Sequence, residues 1–171
     1  LELNELESGK LAFSFISKCQ SILDNVMNKV EENWHDIFGP KYKGSKRARF
    51  AIGDEMVYRI FQTKKWEKSF NLYGLIYFSE KKEKPVFCIG FTAISNHWAN
   101  SVESDEGIIN AIKTLKDNGW MQEDHKFVYY KEFPLLVGEI DNVSKDLIKQ
   151  AMEATTELKQ SGIIELLEEM G

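Results

Sequence analysis

The sequence predicts an α+β domain, in which a mostly antiparallel sheet of about four to six strands packs against a long N-terminal helix, a middle helix and a long C-terminal helix. Three observations predict this fold class. A helical period runs over residues 8–38, strand-like segments follow it, and a second long helical pattern closes the chain. Because the strand-like segments are neighbours joined by short connections, we expect antiparallel pairing rather than a βαβ arrangement.

The composition is that of one folded domain spanning residues 1–171. Hydrophobic residues make up 43% and charged residues 29% of the chain, and the formal net charge is -5, a balance that excludes a disordered protein. No apolar run approaches the roughly 20 residues of a membrane span, so we expect no membrane partner. Cys19 and Cys88 lie within apolar patterns, which predicts free buried thiols and a cytoplasmic location.

The N-terminal segment predicts an amphipathic helix over residues 8–38, because apolar residues recur there every three or four positions. Its stripe consists of Leu11, Phe15, Cys19, Ile22, Val26, Val30, Trp34 and Ile37. Gly39 and Pro40 end the predicted helix. The chain starts without Met and without a basic leader, so we expect a domain that was excised from a larger protein.

A basic segment, "GPKYKGSKRARF", follows at residues 39–50. It contains no acidic residue, although the protein as a whole is acidic. We interpret it as a loop that binds nucleic acid, together with a second basic cluster around Trp66. A solvated connector remains the alternative interpretation. The candidate nucleic-acid-binding residues are Lys41, Lys43, Lys46, Arg47, Arg49, Lys64, Lys65 and Trp66.

Four strands are predicted after the basic segment, at residues 49–52, 55–62, 70–79 and 86–94. The last two are apolar on both faces, which indicates a central position in the sheet.

Each of these two apolar strands has a glycine in its middle, Gly74 and Gly90. A hairpin centred on Lys82 would place the two glycines opposite each other, and the bare patch would admit a core helix or a ligand. Together with His97 and Trp98 in the loop that follows, the glycines form a candidate pocket.

The second half of the chain predicts a helix, two short strands and a long terminal helix. The predicted ranges are 104–117, 125–133, 135–140 and 144–170. Ser104 opens the first helix as its cap, and Asn118 with Gly119 closes it. Gly162 is a candidate break within the terminal helix.

No catalytic residue, cofactor or metal site is predicted. The three histidines have no second ligand at metal-binding spacing, and no phosphate-binding loop or nucleophile elbow is present. One alternative is a metal-dependent nuclease of the PD-(D/E)XK type, in which acidic residues hold a divalent metal and a lysine assists. Its residues would be Asp54, Glu55, Glu80 and Lys82, although the last two also fit a solvated hairpin tip.

Three segments, "NLYGLIYF", "LKDNGW" and "KFVYYKEF", carry a family resemblance. With the final helix they resemble the C-terminal accessory region of phage and bacterial proteins that carry a PD-(D/E)XK nuclease-like domain. The resemblance covers residues 50–171 and implies an accessory domain without catalytic residues of its own.

The leading hypothesis is therefore a non-enzymatic binding domain of a larger prokaryotic or phage protein, whose partner is nucleic acid or another protein. The alternatives are the nuclease described above and a protein-interaction module, including a homodimer formed through the long helices.

Overall fold

The computed structural model has the predicted α+β architecture. It describes residues 2–38, 44–49, 56–63, 70–79, 84–93, 104–123, 127–136 and 138–170. The helices are α1 (Glu2–Phe38), α2 (Glu106–Asp117), α3 (Ile140–Ser161) and α4 (Ile163–Met170). The strands are β1 (Gly44–Arg49), β2 (Met56–Thr63), β3 (Phe70–Ser79), β4 (Lys84–Ala93), β5 (Met121–Gln122) and β6 (Val128–Pro134).

The strands described in the structure form one six-stranded sheet in the order β1-β2-β3-β4-β6-β5. Every pairing is antiparallel, as predicted. Strands β1 to β4 are sequential neighbours, and β5 and β6 follow α2 and return so that β6 pairs with β4. The two apolar strands β3 and β4 occupy the centre of the sheet, which confirms their predicted position.

The main hydrophobic core lies between the helices and one face of the sheet. Helix α1 packs against β2 and β3, and α3 packs against α1, β4 and β6. The core residues of the two central strands are Leu72, Ile76, Phe87, Ile89 and Phe91, each at most 2% exposed. Burying such a side chain contributes about 1.5–3 kcal/mol, so this face supplies much of the stability.

Helix α1 confirms the middle of the predicted apolar stripe, since Cys19, Ile22, Val26 and Val30 are buried. Phe15, another member of the predicted stripe, is 50% exposed, and the side chains of Leu11, Trp34 and Ile37 lie outside the described part of the structure. It begins at Glu2, earlier than the sequence pattern indicated.

The predicted basic loop is in part a strand, and this prediction is corrected. Residues Gly44–Arg49 form β1, which pairs with β2 along its whole length. Apolar alternation did not reveal the strand because an edge strand tolerates Lys and Arg, which also discourage pairing with other chains. Of the predicted strand at 49–52, Arg49 lies in β1 and the rest lies outside the described residues.

The C-terminal half departs from the predicted boundaries. The expected strand at 135–140 is absent, since Leu135 and Leu136 are irregular and α3 already begins at Ile140 after the cap residue Glu139. Ser144, the expected helix start, is instead a buried residue within α3. Strand β5 was not predicted, because two residues are too short for a periodic pattern.

The cap of α2 is Asp105 rather than Ser104, since the Asp105 side chain accepts a hydrogen bond from the Ile108 amide at 2.9 Å. Asn118 caps its C-terminus, as predicted, and Gly119 follows with φ 86°. The predicted break at Gly162 is also confirmed: this residue separates α3 from α4 with φ 72°, a left-handed conformation that favours glycine.

The expected pairing of the two strand glycines is wrong by one residue. Gly74 lies opposite Ile89, and Gly90 lies opposite Tyr73. A shift of one residue moves a side chain to the other face of a sheet, so the two glycines are on opposite faces.

In the described parts of the chain, no helix combines the length and the apolar character that crossing a membrane requires.

Candidate binding face

The face of the sheet that points away from the helices carries a cluster of tyrosines. Along β3, Leu72, Gly74 and Ile76 are buried, whereas Tyr73 and Tyr77 are half-buried. Because alternate side chains of a strand point to opposite faces, the tyrosines lie on the second face. We call this cluster the tyrosine face, and it consists of Tyr73, Tyr77, Cys88, Gly90, Tyr130 and Glu132.

The strand register arranges this face in rows that run across the sheet. In one row, Tyr73 on β3 lies opposite Gly90 on β4, which lies opposite Tyr130 on β6. In the next row, Cys88 on β4 lies opposite Glu132 on β6. These residues are up to 59 positions apart in the chain, and only the antiparallel pairing brings them together.

The ring of Tyr77 crosses β4. Its hydroxyl donates a hydrogen bond to Oε1 of Glu132, which lies two strands away on β6. Two strand spacings are about 10 Å, so the ring must extend over the strand between them. Beneath this bridge Val86 and Cys88 are 1% and 2% exposed, although neither belongs to the core on the helix side. Tyr77 therefore acts as part of their cover.

The ring of Tyr73 lies over Gly90. A Cβ atom on Gly90 would lie 2.6 Å from Oη and 2.7 Å from Cζ of Tyr73, and 2.6 Å from the backbone oxygen of Tyr129. These separations are closer than atoms tolerate, so the position requires glycine. The bare strand allows Tyr73, like Tyr77, to lie across β4.

Gly74 serves the opposite face in a similar way. A Cβ there would lie 2.5 Å from Sδ of Met27 and 3.1 Å from Cδ1 of Leu23. Its missing side chain therefore lets α1 approach the sheet closely, which is the helix-packing role that the sequence left open.

The Tyr73 and Tyr77 hydroxyls and the Cys88 thiol stay protonated at neutral pH. Burial raises the pKa of Tyr73, Tyr77 and Cys88. The hydrogen bond to Glu132 raises the pKa of Tyr77 further, and a hydrogen bond from Tyr73 partly offsets the effect of burial on the pKa of Cys88. The face thus offers neutral rings and hydroxyls around one carboxyl group.

The basic edge strand belongs to the same rows by register. Arg47 on β1 lies opposite Ile60 on β2, and Ile60 lies opposite Tyr73 on β3. Arg47 is therefore in the same row as Tyr73, Gly90 and Tyr130. In the same way, Arg49 lies in the row that contains Cys88 and Glu132, with Tyr58 and Leu75 between them. Lys46 instead lies in the row of Leu72, which belongs to the helix-side face. Two of the predicted cationic positions are thereby aligned with the tyrosine face.

The other candidate residues lie outside the described residues. They are Lys41, Lys43, Lys64, Lys65, Trp66, His97 and Trp98, with Asp54, Glu55, Glu80 and Lys82 of the nuclease alternative. The ends of β1 and β2 that lead to the two basic clusters are adjacent, since Gly44 pairs with Thr63.

A polar cleft of about 390 Å³ separates α1 from α3. It is bordered by Asn25, Asn28, Lys29, Glu32, Asp141, Ser144, Lys145 and Ile148. The Asn25 amide donates a hydrogen bond to Ser144 at 3.3 Å, and Lys29 pairs with Glu32. Four of the polar side chains that border the cleft are thus already paired, so the cleft is a weaker candidate site than the tyrosine face.

Within the described residues, no group of three His, Cys, Asp or Glu side chains is placed to hold a metal ion.

Sequence reasoning missed the tyrosine face. The available signal was the spacing of Tyr73 and Tyr77 on one strand and the aromatic pair Tyr129 and Tyr130 on another. Identifying this face required the register of the strand pairing. A shift of one residue would move each tyrosine to the opposite face of the sheet.

The chain matches no protein-family model, no curated protein and no solved structure. Its functional interpretation therefore rests on the geometry of this face and on the strand rows that connect it to the basic edge.

Proposed function

We propose that this chain is a non-enzymatic binding domain that holds single-stranded nucleic acid across the tyrosine face, with the phosphates along β1. The observation that carries the proposal is the alignment of cationic edge positions and tyrosines in common rows, in which Arg47 leads to Tyr73 and Tyr130. Proteins that bind single strands combine these two elements, a positively charged path for the backbone and aromatic rings for the bases.

The tyrosines supply the stacking surface. Tyr73 and Tyr77 extend across β4 and are half-buried, so each ring rests on the strand and keeps part of its surface accessible. Stacking of a base on such a ring contributes about 1–3 kcal/mol and tolerates different bases. Sheet faces with exposed aromatic rings bind single-stranded RNA in the same way.

The edge strand supplies the electrostatic part. Strand β1 carries Lys46, Arg47 and Arg49 without an acidic residue, and β3 lies two strand spacings away, about 10 Å. Because the whole chain has a net charge of -5, attraction of phosphates must be local, and binding will weaken as salt screens it.

The proposed domain would serve a larger protein. The resemblance to accessory regions of phage and bacterial proteins with a PD-(D/E)XK nuclease-like domain supports a partner that cuts or processes nucleic acid. In such a protein this domain would hold the strand and leave the chemistry to another domain.

Fluorescence anisotropy with a labelled single strand tests the proposal. Replacing Lys46, Arg47 and Arg49 with Ala should weaken binding and reduce the slope of log affinity against log salt by about two to three. The matched control replaces Lys18, Lys113 and Lys149, which are exposed on the helices, and therefore makes the same change in net charge. An equal loss in both triple variants would show that β1 has no special role.

A second pair of variants tests the stacking surface. Tyr77→Leu removes the ring and should weaken binding about tenfold, whereas Tyr77→Phe keeps the ring and should lose less. Identical losses would assign the effect to the hydroxyl group instead.

One observation favours a protein interaction as the second candidate. Phe15 and Ile16 of α1 are 50% and 40% exposed, although the apolar residues of the same helix from Cys19 to Val30 are buried. Sedimentation of the protein without nucleic acid separates the two functions, because a homodimer formed through α1 would dissociate in Phe15→Ser.

The nuclease alternative requires cleavage that depends on Mg²⁺ or Mn²⁺ and is lost in Glu80→Ala.

A further inference from the structure

Residues 14–18 of α1 are exposed on every side of the helix. All five are classed as exposed, and five consecutive residues of an α-helix cover more than one full turn. Phe15 and Ile16 are 50% and 40% exposed. In contrast, the apolar residues of the same helix from Cys19 to Val30 are buried. Within the described residues, α1 therefore has an uncovered segment that continues a packed one.

An uncovered helical segment of this kind is stabilised by a partner. Helix α1 begins at Glu2, and residues 2–18 extend over about 25 Å. An isolated helix of that length is marginally stable in water, and burial of an apolar face supplies most of the stability of helices in proteins. By sequence, Leu11 and Phe15 continue the buried stripe of α1 at a spacing of four. This stripe is the face that a partner would cover.

The charges of the segment fit a second copy that runs in the opposite direction. Glu2, Glu5 and Glu7 come first in the sequence, and the next two charged residues are Lys10 and Lys18. In an antiparallel pair, the acidic start of one helix lies beside the basic end of the other. In a parallel pair, like charges would meet. Charged residues beside an apolar seam set the orientation of paired helices in this way.

Glu7 and Lys18 define the register of such a pair. They are 11 positions apart, which is about three helical turns, so both positions are on one flank of α1. In a twofold-symmetric pair each contact occurs twice. Glu7 of each copy would therefore lie beside Lys18 of the other. The same register places Phe15 of each copy next to Leu11 of the other, which covers the exposed ring.

We infer that α1 forms a symmetric antiparallel homodimer through residues 2–18, in which Glu7 of one copy pairs with Lys18 of the other. A second copy of the chain is thus the partner for the protein interaction described above as the second candidate function. The dimer does not depend on nucleic acid.

Analytical ultracentrifugation of the protein without nucleic acid tests this arrangement. The wild-type protein should form a dimer that dissociates on dilution. Lys18→Glu and Glu7→Lys should each raise the Kd of the dimer about tenfold, because each change replaces both ion pairs with like charges. An equal mixture of the two variants should form mixed dimers with the wild-type Kd, since every contact then joins opposite charges again.

Matched variants control for general charge effects. Lys113→Glu and Glu153→Lys make the same two charge changes at exposed positions of α2 and α3. Neither variant, nor their mixture, should change the Kd of the dimer. Near-ultraviolet circular dichroism shows that the core of each variant is folded.

The outcomes separate the dimer, its orientation and the binding of nucleic acid. A wild-type protein that stays monomeric throughout the micromolar range rejects the dimer and leaves the nucleic-acid proposal intact. A dimer whose Kd is unchanged or lower in Lys18→Glu rejects the antiparallel register. Weakening in both variants without recovery in their mixture also rejects it, whereas recovery in the mixture supports it.

Discussion

The two faces of the sheet are built from the same strands but differ in what covers them. On the helix side, residues such as Leu72, Phe87 and Phe91 are completely buried in an apolar core. On the other side, Tyr73 and Tyr77 extend across the central strand and leave part of their surface accessible. One face is covered by other secondary structure, whereas the other is covered in part by its own side chains.

On each face, a glycine in a central strand provides the space for a group that packs closely against the sheet. Gly74 makes room for α1, and Gly90 makes room for the ring of Tyr73. The helix-side face holds the apolar core, and under the proposed function the tyrosine face would bind the ligand. Substitutions that act differently on the two faces test this conclusion.

The largest expected difference is between Phe91→Ala and Tyr77→Ala. Phe91 is fully buried and its ring packs against Trp120 and Tyr129, so its loss should lower the free energy of unfolding by about 3–5 kcal/mol. Tyr77 is half-buried, and its loss should cost about 1–2 kcal/mol. Urea denaturation measures both values. Equal values would mean that the tyrosine face is a second core.

The second comparison concerns the two glycines. Gly90→Ala should lower the free energy of unfolding by about 2–3 kcal/mol, because its Cβ would collide with the backbone oxygen of Tyr129 as well as with Tyr73. Gly74→Ala should cost about 1 kcal/mol, since Met27 is flexible at its end and can move. Thermal unfolding shows which of the two variants is less stable. A larger loss of stability in Gly74→Ala than in Gly90→Ala would contradict the close packing of Tyr73 on Gly90.

The third comparison concerns the polar groups of each face. On the helix side, Glu157 accepts hydrogen bonds from Trp120 Nε1 at 2.7 Å and from Lys131 Nζ at 2.7 Å. Glu157→Gln leaves the Lys131 charge without its partner and should cost about 2 kcal/mol, whereas Tyr77→Phe should cost about 1 kcal/mol. The double variant with Lys131→Met should recover part of the first loss.

The smallest expected effect is a loss of stability in alkaline solution. Burial raises the pKa of Cys19 from its ordinary value of 9.0 to about 11 and also raises the pKa of Cys88. The unfolded state therefore loses these protons first, and the free energy of unfolding falls as the pH rises through 9. Each thiol should contribute about 0.3 kcal/mol between pH 8 and pH 9.

Denaturation at these two pH values measures the alkaline effect, and Cys88→Ala should reduce it. A stability that is constant over this range would show that the thiols titrate normally in the folded protein. The pKa values of Tyr73 and Tyr77 are also raised by burial. The free energy of unfolding should therefore fall further when the pH rises above the ordinary pKa of tyrosine.

Local features of the fold could be predicted from the sequence. The stripe on α1, the central position of β3 and β4 and the glycine breaks at Gly119 and Gly162 all follow from short-range patterns and backbone preferences. These rules fail where pairing with a neighbouring strand determines the secondary structure. Strand β1 has no apolar alternation, and it forms because β2 offers it a partner.

The tyrosine face could not be predicted, since it depends on register. The pairing assumed for the hairpin was one residue from the observed one, and that error placed Gly90 beside Gly74 instead of beneath Tyr73. Likewise, Tyr77 and Glu132 are 55 positions apart, and no local pattern connects them. The cationic positions could be predicted individually, but their alignment with the tyrosines required the sheet.

The two edges of the sheet have a consequence for how copies of this protein behave at high concentration. An exposed edge can recruit another strand and start aggregation. Strand β5 limits this risk by its length of two residues, whereas β1, with six residues, depends on its positive charges. Under the proposed function, the residues that attract a polyanion would also oppose pairing between β1 strands of different copies, and a bound polyanion that neutralises them would remove this protection at one edge.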